Sequence, residues 1–118
     1  MRNFRTLNIW QDSITIVKKL YRLAESLPPE EKYGLRSQMC RASVSIPANI
    51  AEGCSRNSNN EYKRFLEISI GSAFELETHL QIICRLNLVS DNEVTPITTL
   101  LECEEKMINS LITKIKAN

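Results

Sequence analysis

Few side chains in this sequence are suited to catalysis, and the only histidine is the first to consider. His79 follows Glu75 by four residues, one helical turn later. A di-iron helical bundle needs two Glu-x-x-His elements and further carboxylates facing inward, and no second histidine exists here. Cys84 and His79 are five residues apart, which on a helix turns them about 140° away from each other. We therefore expect no metal centre, no cysteine–histidine nucleophile, no cofactor and no enzyme; we place His79 at the surface or in an interface.

The cysteines do not form a metal-binding or redox motif. They are single and widely spaced, without a C-x-x-C pair, at Cys40, Cys54, Cys84 and Cys103. Disulfides are rare in the cytosol, and the sequence contains no glycine-rich phosphate loop. We expect four buried, reduced thiols.

Basic residues are the main candidates for ligand binding. The candidate nucleic-acid site consists of Arg36, Arg41, Arg56, Lys63 and Arg64. Such side chains neutralise phosphates, and the affinity then falls steeply with salt. The alternative is that three of them form salt bridges: Arg41, Arg56 and Arg64 with Glu52, Glu67 or Glu75. The nearby aromatic residues Tyr62 and Phe65 occupy positions that we expect to be buried, so base stacking is not predicted.

A polar stripe runs through the same region. Its members are spaced 3, 4, 4, 3 and 4 residues apart and would share one helix face: Gln38, Arg41, Ser45, Asn49, Glu52 and Arg56. The stripe is either a solvated face or an interface with a subunit or a ligand. The short side chains of Ser45 and Asn49 suit a hydrogen-bonded interface better than they suit water.

Four helices must position these residues, and the sequence predicts them at about 7–27, 34–53, 59–86 and 91–116. Pro28 and Pro29 end the first helix. Ser58 with Glu61, three residues later, forms a capping box that starts the third. Ser90 with Glu93 is a possible capping box for the fourth, and the competing start is Thr95 followed by Pro96. No alternating strand pattern occurs, so we predict one all-α domain over residues 1–118, an antiparallel up-down-up-down four-helix bundle.

The first helix carries more apolar surface than packing against one neighbouring helix requires. One stripe comprises Leu7, Trp10, Ile14, Val17, Tyr21 and Ala24, and the second comprises Ile9, Ile16, Leu20, Leu23 and Leu27. An apolar arc this wide indicates a helix that is buried in a bundle and also covered from outside.

The second helix contains the unusual run "SIPANIAEG" at residues 45–53. Pro47 has no N–H to donate to the carbonyl of Ser43, so we predict a kink near residues 43–47. The surrounding residues are small, which lets another backbone approach closely.

Composition and charge limit the other possibilities. The chain is 42% hydrophobic and 25% charged with only three glycines, which disfavours disorder. No apolar run is long enough to span a membrane and no signal peptide is evident, so we expect a cytoplasmic protein. Residues 1–57 carry nine basic and five acidic residues (+4), whereas residues 58–118 carry six and nine (−3). This asymmetry suits contact with an anion, or of one half with the other half of a neighbouring subunit.

Laid out in this way, the chain resembles the bacterial four-helix-bundle proteins named for intervening sequences of 23S ribosomal RNA. The resemblance is carried by Arg56 and by three segments: "LNIWQDS" (residues 7–13), "LPPEEKYGLRSQMCRASVSIPANIAEG" (residues 27–53) and "EYKRFLEISIGSAFELETHL" (residues 61–80). It implies a ring-like homo-oligomer, pentameric in relatives, without established catalytic activity. A related group, the accessory variability proteins of diversity-generating retroelements, works beside a reverse transcriptase and has a basic surface for nucleic acid.

These observations together favour a non-enzymatic, homo-oligomeric binding or scaffold protein, with a pentamer as the expected assembly and RNA as the expected ligand. The alternative is a protein–protein adaptor that holds a nucleic-acid enzyme such as a polymerase or a reverse transcriptase.

Overall fold

Four α-helices account for most of the chain in a computed structural model, which describes residues 2–31 and 34–117. The helices are α1 (Asn8–Ala24), α2 (Leu35–Cys54), α3 (Asn59–Arg85) and α4 (Asp91–Ala117). Short 3₁₀-helices lie at Phe4–Thr6 and Pro29–Glu31, and no strand occurs in the described residues. The prediction of an all-helical fold is confirmed.

Capping side chains fix the starts of α3 and α4. Ser58 has extended backbone, and its hydroxyl accepts a hydrogen bond from the Glu61 N–H at 3.1 Å. At α4, the Glu93 carboxylate accepts from the Ser90 N–H at 3.2 Å and from the Ser90 hydroxyl at 3.1 Å. The helix therefore starts at Asp91, and the alternative start at Thr95–Pro96 is wrong.

The ends of the helices depend on bonds that the sequence shows less clearly. The α-helical bonding of α1 stops at Ala24, and the next residues form tighter turns, with the Leu27 N–H donating to the Ala24 carbonyl at 3.2 Å. After α3, Asn87 adopts φ 59°, and the Leu88 N–H donates back to the Ile83 carbonyl at 3.0 Å. This 6→1 bond satisfies a carbonyl that the helix leaves unpaired.

The core lies along the shared axis of the helices, and neighbouring helices pack in the order α1–α2–α3–α4, with α4 also against α1. Large side chains with no exposed surface come from all four helices: Leu20, Met39, Ile46, Ile50, Leu66, Leu76, Leu80, Ile83, Leu101 and Ile108. Burying each such side chain contributes about 1.5–3 kcal/mol. The second predicted stripe of α1 lies in this core, and most of the first stripe is only half-buried.

Helix α2 approaches α3 closely at its end. A β-carbon added at Gly53 would lie 2.9 Å from Cβ of Phe65 and 3.2 Å from Cδ1 of Tyr62, closer than packed carbon atoms come. Glycine is therefore needed here by packing. Pro47 is buried inside α2, which runs without interruption from Leu35 to Cys54.

Candidate functional site

The middle of the polar stripe is packed against α3. The Ser45 and Ser72 hydroxyl oxygens are 2.8 Å apart, and Asn49 donates from Nδ2 to the Ser45 carbonyl at 2.8 Å and to its hydroxyl at 2.9 Å. The buried Ser69 hydroxyl donates to the Ile46 carbonyl at 2.9 Å. Ser45 and Asn49 therefore belong to a hydrogen-bonded interface, as their short side chains indicated, but the partner is a helix of the same chain.

The first residues of the polar stripe add charged groups to the contact between α2 and α3. Arg41 forms a salt bridge with Glu75 of α3, and its Nε donates to Gln38 at 3.1 Å. The same Glu75 oxygen lies 3.2 Å from Nε2 of His79. His79 is only 17% exposed, and its Nδ1 has no partner among the described residues. The result is a network of polar contacts between α2 and α3 that contains no nucleophilic side chain.

Salt bridges occupy three of the five candidate nucleic-acid residues. Besides Arg41, Arg56 pairs with Glu52 at 3.1 Å and Arg64 pairs with Glu61 at 3.0 Å. The predicted salt bridges are thus confirmed for Arg41 and Arg56, whereas Arg64 pairs with Glu61, which was not among the predicted partners.

The five candidates do not form one cluster. Arg36 and Arg41 lie in the first turns of α2, and Arg56 lies just beyond its end. At 1.5 Å per residue, Arg36 is about 30 Å along the helix direction from Arg56. Arg56, Lys63 and Arg64 are the members that the α2–α3 turn brings together.

Two arginines that the sequence reasoning missed join this group. Arg2 donates to the Arg56 carbonyl and to Oδ1 of Asn59, each at 2.8 Å, and its guanidinium carbon lies 4.1 Å from the centre of the Tyr62 ring. Arg5 follows in the adjoining 3₁₀-helix, which packs against α1 and α2. The set Arg2, Arg5, Arg56, Lys63 and Arg64 is called the basic end below.

Aromatic rings hold the basic end in place. The guanidinium carbons of Arg56 and Arg64 each lie 4.8 Å from the centre of the Phe65 ring, a cation–π distance. Tyr62 and Phe65 are buried, as predicted. Burial raises the pKa of Tyr62 to about 12, and the nearby Cys54 thiol adds to the shift. These rings position arginines and are not available to stack on bases.

Comparison with known proteins places the chain in a family. The model of the family described as 23S rRNA-intervening sequence protein matches residues 5–110. The chain belongs to this family. A search of curated proteins finds no match. Among solved structures, a protein with unknown function from the S23 ribosomal protein family of Bacteroides thetaiotaomicron VPI-5482 superimposes with a TM-score of 0.82. It is 24% identical over 88% of this chain and 97% of the other, which shows a shared fold.

This member of the 23S rRNA-intervening sequence protein family also carries a carboxylate in its core. Glu104 has no exposed surface, and neither of its carboxylate oxygens has a hydrogen-bond partner among the described residues. Burial, and to a smaller extent the charge of Asp12 on α1, raise its pKa to about 8. The neutral, protonated form of Glu104 therefore predominates at pH 7, and its side chain occupies a core position.

Two further carboxyl groups, one on α3 and one on α4, lie close together. Burial raises the pKa of Glu105, and the neighbouring Glu77 carboxyl group raises it further. A proton retained by Glu105 reduces the charge repulsion between the two neighbouring carboxyl groups. Neither Glu104 nor this pair was identified from the sequence.

Within residues 2–31 and 34–117, no three histidine, cysteine or acidic side chains come together to hold a metal ion, and no described helix is long and apolar enough to cross a membrane.

The prediction of four buried thiols is wrong in part. Cys54 is buried, Cys40 and Cys84 are half-buried and Cys103 is exposed on α4, because it lies off the apolar face of that helix. The described cysteines form no disulfide.

Proposed function

We propose that this protein is a non-enzymatic scaffold that assembles into a ring of identical subunits and binds RNA through its basic end. The observation that carries the proposal is the placement of five basic residues, from the N-terminal segment, the α2–α3 turn and the start of α3, at one end of the bundle. Two carboxylates, Glu52 and Glu61, pair with members of this set, which leaves a formal charge of +3.

The geometry of the basic end suits phosphates. Arg2, Arg56 and Arg64 are held on aromatic rings, so little side-chain entropy is lost when they bind. Arg5 and Lys63 have no carboxylate within 4 Å among the described residues and can pair with phosphate oxygens. Because Tyr62 and Phe65 at the basic end are buried, the surface is suited to the backbone of structured RNA and not to base recognition.

The subunit that we propose is an up-down-up-down bundle in the cytoplasm. Contacts from α2 to α3 run in opposite chain directions: Cys54 with Tyr62, Ser45 with Ser72 and Arg41 with Glu75. This order supports an antiparallel pair.

The half-exposed apolar stripe of α1 supports assembly, and the family resemblance implies five subunits. Free thiols and an RNA ligand both fit the cytoplasm.

Salt-dependent RNA binding tests the ligand. A structured RNA with a fluorescent end label would be titrated at several salt concentrations against the wild type and against the double variant Arg5→Ala, Lys63→Ala. Losing two phosphate contacts is expected to reduce the slope of log affinity against log salt by about 1.4–1.8. The matched control is Lys18→Ala, Lys19→Ala, two exposed lysines on α1 outside the basic end.

Two results would contradict the RNA proposal: no binding at low salt, or equal losses in both double variants. A protein that formed oligomers but bound no RNA would favour the adaptor function, and co-purification of a partner resistant to nuclease would support that adaptor. Light scattering after size exclusion tests the assembly separately, and a 13.5 kDa particle at micromolar concentration would refute it.

A further inference from the structure

We infer that copies of this chain join through two different faces, so that the α1–α2 side of one copy covers a groove between α3 and α4 of the next. This rests on the homo-oligomer of the proposed function and names the surfaces that would form it. The occupant of the groove is a second copy of this chain.

The first face is an apolar patch on α1 and α2, here called the outer patch: Ile14, Val17, Tyr21 and Val44. Tyr21 is 44% exposed and Val44 is 43% exposed, whereas Ile14 and Val17 are half-buried. Tyr21 meets Cys40 of α2, one turn from Val44, so the two helices contribute to one continuous surface. The core is already filled by the other stripe of α1, and the described chain covers this one only in part.

The second face is a groove between α3 and α4, here called the outer groove: Ile70, Gly71, Phe74, Asn109 and Ile112. It consists of two adjoining clefts of about 240 and 360 Å³ that share Ile70 and Asn109. Phe74 lines the first cleft and is 57% exposed, the largest exposed fraction among the large apolar side chains described.

Gly71 is unexplained within one subunit. A glycine inside a helix destabilises it relative to alanine, yet a β-carbon added at Gly71 would meet nothing within 4 Å. This is the opposite of Gly53, where packing within the chain excludes a side chain. A neighbouring subunit that comes close to the outer groove accounts for the glycine.

Charge identifies the occupant as another copy. In the two halves of the bundle, α1 and α2 carry five basic and two acidic residues (+3), and α3 and α4 carry six basic and nine acidic residues, of which the buried Glu104 is protonated (−2). The two faces lie on these oppositely charged halves, so the α1–α2 side of one copy attracts the α3–α4 side of the next and repels its own kind.

The size of the bundle permits this contact. A long side measures 46 Å by 22 Å, or about 1,000 Å², against the roughly 800 Å² that each partner buries in a standard stable interface. Since the two faces differ, the contact is head-to-tail and can close into a ring.

The test uses one defective face at a time. Phe74→Glu places a charge in the outer groove, and Tyr21→Glu places one in the outer patch; Val44→Glu is the second patch variant should Tyr21→Glu unfold. Each is measured by circular dichroism for helix content and by light scattering after size exclusion. The matched control is Leu86→Glu, because Leu86 is 56% exposed and lies at the end of α3 outside both faces.

We expect the wild type and Leu86→Glu to be oligomeric and each groove or patch variant to be a 13.5 kDa monomer. Mixing Phe74→Glu with Tyr21→Glu is then expected to give a one-to-one pair of twice that mass and nothing larger, because one intact patch meets one intact groove. We also expect Gly71→Ala to weaken the assembly while raising the thermal midpoint of the isolated subunit.

A different pattern would overturn the inference. If the wild type is oligomeric and the variants remain so, or if mixing restores nothing, the two faces are not the interface and the proposed oligomer still stands. If the wild type itself is a monomer, the proposed function fails together with the inference.

Discussion

Replacing Glu104 tests whether a protonated acid fills the core. We expect Glu104→Gln to remove most of the dependence of stability on pH that this residue creates, and Glu104→Leu to make the protein more stable at pH 7. Both follow from the position of the side chain, which has no exposed surface and no hydrogen-bond partner for either carboxylate oxygen among the described residues.

The magnitude follows from the difference in pKa between the folded and unfolded chains. The pKa of Glu104 rises from 4.5 to about 8 on folding, so the folded state holds the proton more tightly. The contribution of Glu104 to the free energy of unfolding is therefore greatest below pH 4.5, and it is lost as the pH rises through the folded pKa. At 1.36 kcal/mol for each pH unit above 4.5, the loss is about 3 kcal/mol at pH 7 and about 5 kcal/mol above pH 8.

The two variants separate ionisation from hydrogen bonding. Glutamine cannot ionise, but its buried amide without a partner costs about 1–3 kcal/mol. Leucine removes both penalties and is close to glutamate in volume, so we expect Glu104→Leu to be the more stable variant. Glu105, whose pKa is also raised, adds a pH dependence of its own that remains in both variants.

Urea unfolding followed by circular dichroism at pH 5, 6, 7 and 8 measures this effect. Protein concentration is kept constant, because assembly would add to the stability. The control is Glu102→Gln, an exposed glutamate two residues earlier on α4. If the difference in unfolding free energy between wild type and Glu104→Gln is the same at pH 5 and pH 8, Glu104 does not titrate in the folded core and the reasoning is refuted.

Three further substitutions test the packing and the caps by thermal or urea unfolding. Gly53→Ala is expected to destabilise by about 1–3 kcal/mol, because the added carbon would lie 2.9 Å from Cβ of Phe65; no loss would contradict the close packing. Ser58→Ala removes the N-cap bond of α3 and is expected to cost about 1 kcal/mol, whereas Ser58→Asp retains the bond and serves as control. Arg2→Ala loses two hydrogen bonds and a cation–π contact and is expected to cost about 1–2 kcal/mol; a cost equal to that of Arg5→Ala would mean that Arg2 does not hold the N-terminus in place.

The helices could be predicted because their signals are local. Ser58 and Glu61 are three residues apart, and the cap they form is the one observed. Small and apolar residues recur along α3 at the 3- and 4-residue spacing of one helix face, and members such as Leu66 and Leu76 are buried. The end of α1 was less well predicted, because the turns after Ala24 bury Leu27 without continuing the helix.

The site depended on long-range contacts and was only partly predictable. Arg2 bonds to a carbonyl 54 residues away, and no periodic pattern indicates such a contact. Glu104 did leave a signal in the sequence: the apolar stripe of α4 passes from Leu101 directly to Ile108, and the missing core position between them is residue 104. An acidic residue at a core position of a helical stripe is itself a sign of a raised pKa.

The run "SIPANIAEG" connects the sequence to the basic end. Small side chains on α2 let α3 approach until Ser45 meets Ser72, Ser69 bonds to the Ile46 carbonyl and Gly53 contacts the Phe65 side chain. These contacts fix the register of the two helices, since a shift by one residue would turn the serines away from each other. The turn that follows is therefore held in one position.

That register also places the cations of the basic end. Phe65, which packs on Gly53, is the ring on which both Arg56 and Arg64 rest. A side chain at residue 53 would displace the ring and both guanidinium groups with it. Gly53→Ala is therefore expected to change the electrostatic surface as well as the stability, and the small-residue run of α2 matters for the proposed RNA binding although none of its side chains carries a positive charge.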